Sequence, residues 1–130
     1  MPPKGHFSGS PADWLRYSRS DLELARTIRT AEVMFEVLCF HAQQAAEKAL
    51  KAVLIAKDVP PPKTHNIRTL LDLLPEEIIV PEEIEDAASL SDYAVTSRYP
   101  GDFEPVNEEE YKEAVRLAAT VVLWAERITQ

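Results

Sequence analysis

The stretch from Glu32 to about Asp58, EVMFEVLCFHAQQAAEKALKAVLIAKD, contains neither glycine nor proline. Helix formers stand at nearly every position, which leaves one long α-helix as the dominant local solution. Wound at about 100° per residue, Met34, Phe35, Leu38, Ala42, Ala45, Ala46, Ala49, Ala52, Val53 and Ala56 collect in one apolar arc of about 120°. Alanine dominates that arc, so partner helices can approach closely along it. Phe40, Leu50 and Leu54 fall outside it. A helix that is apolar on more than one side is central in its bundle or also faces a second subunit, and a homodimer is therefore expected.

The same helix carries a polar arc. His41, Gln44, Lys48 and Lys51 lie within about 80° of one another, and Glu47 stands four residues before Lys51 in the favourable order for an ion pair. One reading is a preformed site for an anionic group. The other is a solvated face with one ordinary ion pair, which is what charged helix faces usually are.

Proline punctuates the rest. The ten prolines stand at positions 2, 3, 11, 60, 61, 62, 75, 81, 100 and 105, which leaves 12–59 and 106–130 free to be helical. The three glycines lie at positions 5, 9 and 101, too few and too scattered for a phosphate-binding glycine loop. No alternating strand pattern interrupts the chain. The expectation is an all-α fold, an antiparallel bundle of about five helices, two of them short.

The first helix is expected from Ser10-Pro11-Ala12-Asp13, with Ser10 as N-cap, Pro11 in the first helical position and Asp13 at the positive end of the dipole. Trp14, Leu15, Ser18, Leu22, Ala25 and Ile28 form its core face, and the chain breaks near Thr30. After the stiff connector at 59–63, Asn66 or Thr64 caps a short helix that Pro75 ends. A fourth helix runs from around Pro81 to about Thr96, before Pro100 and Gly101 force a turn. The last helix opens on Asn107 with Glu110 three residues later, a capping-box variant.

With 130 residues the chain suits one domain, 11–130, preceded by a loosely ordered tail over 1–10. The single cysteine, Cys39, excludes an internal disulfide and a multi-cysteine zinc site, and suits a reducing cytoplasm. No apolar stretch is long enough to span a bilayer, and the N-terminus lacks a signal-peptide core. The histidines and carboxylates show no metal-binding spacing, so neither metal nor cofactor is expected. The net charge of −8 argues against attraction of nucleic acid by the whole molecule, but residues 76–130 carry the entire excess. They hold fourteen acids against four bases, whereas residues 1–75 hold ten bases against eight acids. An anion is expected near the long helix, or at Arg98, the one cation between Glu76 and Glu110.

Three blocks, HAQQAAEKALKAVL, THNIRTLL and SDYAVTSRYPGD, stand in an order and spacing that resembles the HEPN domain of bacteria and archaea. The resemblance runs from about Trp14 to Ile128. It implies an all-α bundle, commonly dimeric, that often works beside a minimal nucleotidyltransferase in two-gene modules of toxin–antitoxin type. The family's nuclease branch cleaves RNA without metal, using an Arg and a His separated by four to six intervening residues. Here Phe103, Glu104 and Pro105 stand where that His belongs, and no histidine follows His65.

Metal-free cleavage needs groups that move protons, and arginine does this poorly. The resemblance therefore implies a non-catalytic module that binds a nucleotide or RNA. Its candidate residues are Lys48 and Lys51 for phosphate, Arg98 for a bidentate phosphate contact and Tyr99 for stacking, with His41, Gln44 and His65 as lesser members. A salt bridge to neighbouring acids is the alternative role for Arg98. Two other readings stay open: a ribonuclease with a rearranged site drawing on His41 or His65, and an interaction module dimerising through Phe40, Leu50 or Leu54.

Overall fold

The structure, a computed structural model, describes residues 9–27, 30–94 and 104–130. Among the described residues five α-helical segments follow one another: α1 (Pro11–Ala25), α2 (Phe35–Ala56), α3 (Ile67–Asp72), α4 (Glu82–Glu85) and α5 (Glu108–Ile128). A 3-10 helix, Asp86–Tyr93, continues directly from α4. Among the described residues there is no strand.

The helix starts are chemically specified. Ser10 accepts from the Asp13 backbone N–H at 3.1 Å while the Asp13 carboxylate accepts from the Ser10 N–H at 3.1 Å. Asn107 and Glu110 make the same reciprocal pair at the start of α5, at 2.8 and 3.1 Å. Each box satisfies two N–H groups that the helix itself leaves without a partner. Asn66 caps α3 by accepting from Thr69, as expected, while Thr64 accepts from the Asn66 N–H.

α2 is the central element, packed along α1 on one side and α5 on the other. Ala42, Ala45, Ala46, Ala49 and Ala52 have no exposed surface. Because these side chains end at Cβ, the α1 backbone comes near enough for the buried Ser18 hydroxyl to donate to the Ala45 carbonyl at 2.6 Å. The pairs Ser18–Ala45, Asp21–His41 and Trp14–Lys51 run in opposite senses, so α1 and α2 are antiparallel. At the other end Phe35 stacks on Tyr111 with centroids 5.0 Å apart. The Tyr111 hydroxyl donates to the Ala25 carbonyl at 2.7 Å, closing the end of α1 against α5.

Several sequence expectations need correction. The long helix starts at Phe35 and ends at Ala56, inside the expected 32–58, and Met34 is an exposed N-cap rather than part of the buried arc. Ala56 is exposed as well. Leu50 and Leu54, expected outside the core arc, are completely buried within the single chain, and Phe40 is half-buried. The helix is apolar on several sides because it is central, so the two leucines are not available to a second subunit.

The fourth helix is α-helical only over Glu82–Glu85 before tightening into the 3-10 form. Its inward residues are Ile84, Ala87, Leu90 and Tyr93, a spacing of three. That spacing aligns side chains on a three-residue turn and drifts off the core on a 3.6-residue one. Ile28 and the stretch from Val95 to Thr96 lie outside the described residues.

The alanine seam sets the spacing of the bundle. Ala49→Leu is expected to destabilise the protein by about 1–3 kcal/mol through overpacking, read as a lower urea midpoint with unchanged slope. An unchanged midpoint would show that the seam is not closely packed.

Candidate functional site

The polar arc of α2 is divided between two clusters, and each has a carboxylate shared by one histidine and one lysine. In the first, Asp21 of α1 receives Lys48 Nζ at 2.6 Å on one oxygen and His41 Nδ1 at 3.1 Å on the other. In the second, Glu47 receives Lys51 Nζ at 2.8 Å, and its other oxygen receives His65 Nδ1 at 2.8 Å and Gln43 Nε2 at 2.9 Å. A carboxylate only accepts, so each imidazole faces it through a protonated Nδ1.

The second cluster has a buried centre, Glu47 with Lys51 and Gln43, and an exposed rim, His65. Glu47 is 3% exposed, and Gln43 donates a second bond to the His65 carbonyl at 3.1 Å, tying the segment before α3 to α2. Gln43 Oε1 is buried and has no hydrogen-bond partner among the described residues. Burial alone would push the Glu47 carboxyl up. The bonds from Lys51, Gln43 and His65, together with the charge of Lys51, outweigh it and hold the group below its ordinary value of 4.5. Lys51 was expected on an accessible face, yet it is buried, with its ammonium 5.7 Å from the centre of the Trp14 ring.

The first cluster opens outward. Tyr17 is 57% exposed on α1, with the Arg16 guanidinium 5.5 Å and the Lys48 ammonium 5.9 Å from its ring centre. Beside it an open cavity of about 420 Å³ is lined by Arg16, Tyr17, Ser20, Asp21 and Lys48. A second, of about 310 Å³, is lined by Gly9, Asp13, Trp14, Arg16 and Tyr17. The two share Arg16 and Tyr17, forming one groove along α1. Gly9 has φ +84°, a left-handed conformation that suits glycine, and lies against Trp14 at one end of the groove.

Of the residues singled out in the sequence, Lys48 and His41 meet in the outward cluster, and Gln44 is half-buried between them in helical order. Lys51, which is buried, and His65, which is exposed, meet at Glu47 in the second cluster. Arg98 and Tyr99 lie outside the described residues. Arg16, Tyr17, Ser20 and Asp21 were missed because α1 was read only for its core face. Their signal is faint but present: on a helix whose other stripe is buried, an exposed tyrosine stands next to an arginine. Among the described residues, no group of three or more His, Cys, Asp or Glu side chains could hold a metal ion.

A bundle with one central helix, and a lysine–histidine–carboxylate cluster facing outward beside an aromatic groove, defines a compact all-α module with a polar surface site. The HEPN domain family model matches residues 11–128, and the chain belongs to that family. It is similar to the crystal structure of TT1696 from Thermus thermophilus, with a TM-score of 0.80 and 34% identity over 91% of this chain and 97% of that one. It is also similar to ST0689, an archaeal HEPN homologue, with a TM-score of 0.74 and 26% identity over 94% and 99% of the two chains. No curated protein matches it.

The lowered Glu47 carboxyl sets a pH dependence. Its stabilising contribution is complete above the ordinary glutamate range and is lost as pH falls through the depressed folded-state value. Glu47→Gln strands Lys51 and is expected to cost about 3 kcal/mol at pH 7. Denaturant titrations should show the gap to wild type narrowing below pH 4.5, the ordinary value of the group. A gap unchanged between neutral and acid pH would contradict the assignment.

Proposed function

We propose that this HEPN protein is a non-catalytic module that binds a nucleotide or single-stranded RNA in the groove between α1 and α2. One observation carries the reading: an exposed tyrosine lines an open cavity, with an arginine 5.5 Å and a lysine 5.9 Å from its ring centre. Aromatic rings give any base a stacking surface, and adjacent cations answer phosphate. Lys48 shares its charge with Asp21, so stacking rather than net attraction supplies most of the affinity.

The groove is too open to be core. His41 and Gln44 stay proposed members of the site beside Lys48 on α2, and Arg98 and Tyr99 remain proposed phosphate and stacking residues on the strength of the family resemblance. That resemblance also suggests a minimal nucleotidyltransferase as partner, in a two-gene system of toxin–antitoxin type, and the lone Cys39 suits a cytoplasmic protein. Among the described residues no helix is long and apolar enough to cross a membrane.

The protein is further proposed to form a homodimer. Leu50 and Leu54 are consumed by the core, but Leu24, Met34 and Val37 are exposed near the α1–α2 turn and offer a different apolar face. Sedimentation should show a dimer at micromolar concentration, and a monomer throughout would remove this part of the proposal.

A ribonuclease with a rearranged site is the second reading, favoured by the two imidazoles that carboxylates orient through Nδ1. Cleavage of labelled single-stranded RNA in chelator, lost in His41→Ala or His65→Ala, would put it first.

The binding test is calorimetric titration of adenine and uracil nucleotides and a short single-stranded RNA. Tyr17→Ala is expected to weaken binding by about 1–3 kcal/mol, the worth of one base–aromatic stack. If wild type binds none of them, or Tyr17→Ala binds as wild type does, the groove is not a nucleotide site.

A further inference from the structure

Resting on that reading, the charge available in the groove depends on one shared carboxylate. Asp21 holds Lys48 Nζ at 2.6 Å on Oδ2 and His41 Nδ1 at 3.1 Å on Oδ1, so neither donor displaces the other. With His41 neutral, its Nδ1–H already points at the carboxylate, and the charges of Lys48 and Asp21 cancel. A proton then enters at Nε2, which has no hydrogen-bond partner among the described residues. The bond to Asp21 stays in place and becomes charge-assisted. The cluster passes from zero to one positive charge without moving a side chain. Asp21 and Lys48 both line the cavity beside Tyr17, whereas His41 stands behind them and acts through Asp21. Asp21 of α1 is the charged group that faces the ring, and Lys48, seven residues on, is the one on its own helix. Phe40 meets the ring edge-on, with centres 5.5 Å apart. α3, the 3-10 helix and α5 pack against other sides of α2 and give His41 no ion-pair partner among the described residues. Arg16, the other cation lining the cavity, pairs with Asp13 at 3.7 Å.

We infer that phosphate binding in the groove is coupled to protonation of His41. While the imidazole is neutral, Asp21 cancels the charge that Lys48 would offer to a phosphate. Once it is protonated, two cations share the carboxylate and one positive charge is left for the anion. Each event favours the other, because linkage between two binding equilibria is reciprocal: an anion beside Lys48 makes the imidazolium easier to form. Histidine is the side chain whose ordinary chemistry changes charge between about pH 5 and 8. The groove therefore holds an anionic strand more tightly as pH falls through that range, while a neutral nucleoside gains nothing. The other shared carboxylate does not supply this coupling. Glu47 gathers Lys51 and His65 in a separate cluster, and none of the three lines the cavity.

The test uses an unphosphorylated uracil hexamer and uridine. A terminal phosphate monoester titrates at about pH 6 and would add its own pH dependence, whereas uracil and the phosphodiester do not ionise in this range. In calorimetric titrations at constant ionic strength, the hexamer is expected to bind about three- to tenfold more tightly at about pH 5.5 than at about pH 8, the effect of one added unit charge near a protein surface. Uridine should show no such preference. In the wild type, the imidazole resonances of His41 followed by NMR should titrate with a midpoint displaced to higher pH when the hexamer is present. His41→Gln, which keeps a donor toward Asp21, should abolish the pH dependence of hexamer binding, and His65→Gln should retain it. A hexamer that binds equally at both pH values with an unmoved His41 midpoint would overturn the coupling and leave the nucleotide site standing. So would a dependence that uridine shares, or one that survives in His41→Gln. Failure of both ligands to bind at any pH would remove the coupling and the site together.

Discussion

The close approach of α1 to α2 over an alanine seam is the constraint on which the rest of the molecule depends. Five alanines with no exposed surface let the Ser18 hydroxyl reach a main-chain carbonyl of the neighbouring helix. Larger side chains there would move the helices apart, and the contacts across them would lengthen. Those contacts include the two that position the outward cluster, Asp21 with Lys48 and Asp21 with His41. Packing and polar geometry are thus one problem on this face of the bundle.

The electrostatics follow from that packing. Every cation of the polar arc has a carboxylate within hydrogen-bond distance, so the arc is a pair of compensated clusters and not a cationic patch. The buried one holds the segment before α3 against α2, and its carboxylate is kept ionised by three donors despite desolvation. The partly buried one, around Asp21, orients Lys48 over Tyr17. A protein with net charge −8 has no general attraction for nucleic acid. Any recognition here must rest on local arrangement.

Much of the fold is legible in the residues. Ser10 with Asp13 and Asn107 with Glu110 announce two helix starts through side-chain chemistry that acts over three residues, and local rules of that kind transfer well. The long helix is equally plain, since no glycine or proline stands between Glu32 and Asp58, although its ends fall inside that stretch at Phe35 and Ala56. Its burial was harder to see. Whether Leu50 and Leu54 face a second subunit or the chain's own α3–α5 half depends on where distant segments pack, and periodicity on one helix carries no such information. The three-residue spacing of Ile84, Ala87, Leu90 and Tyr93 was present but is easily absorbed into a 3.6-residue pattern over so short a stretch. In the site, Lys48 and His41 were visible as neighbours on α2, whereas their shared partner Asp21 lies some twenty residues upstream. Only the antiparallel register of α1 and α2 unites them.

Backbone amide chemical-shift mapping tests the central claim most directly, because it locates a ligand without assuming the site. Titration of ¹⁵N-labelled protein with a short single-stranded RNA should move the amides around Arg16, Tyr17, Ser20 and Lys48, together with the Trp14 indole N–H. The acidic surface of α4 and α5 should stay unperturbed. Shifts confined to that surface, or no shifts at all, would contradict a nucleotide-binding groove on α1 and α2.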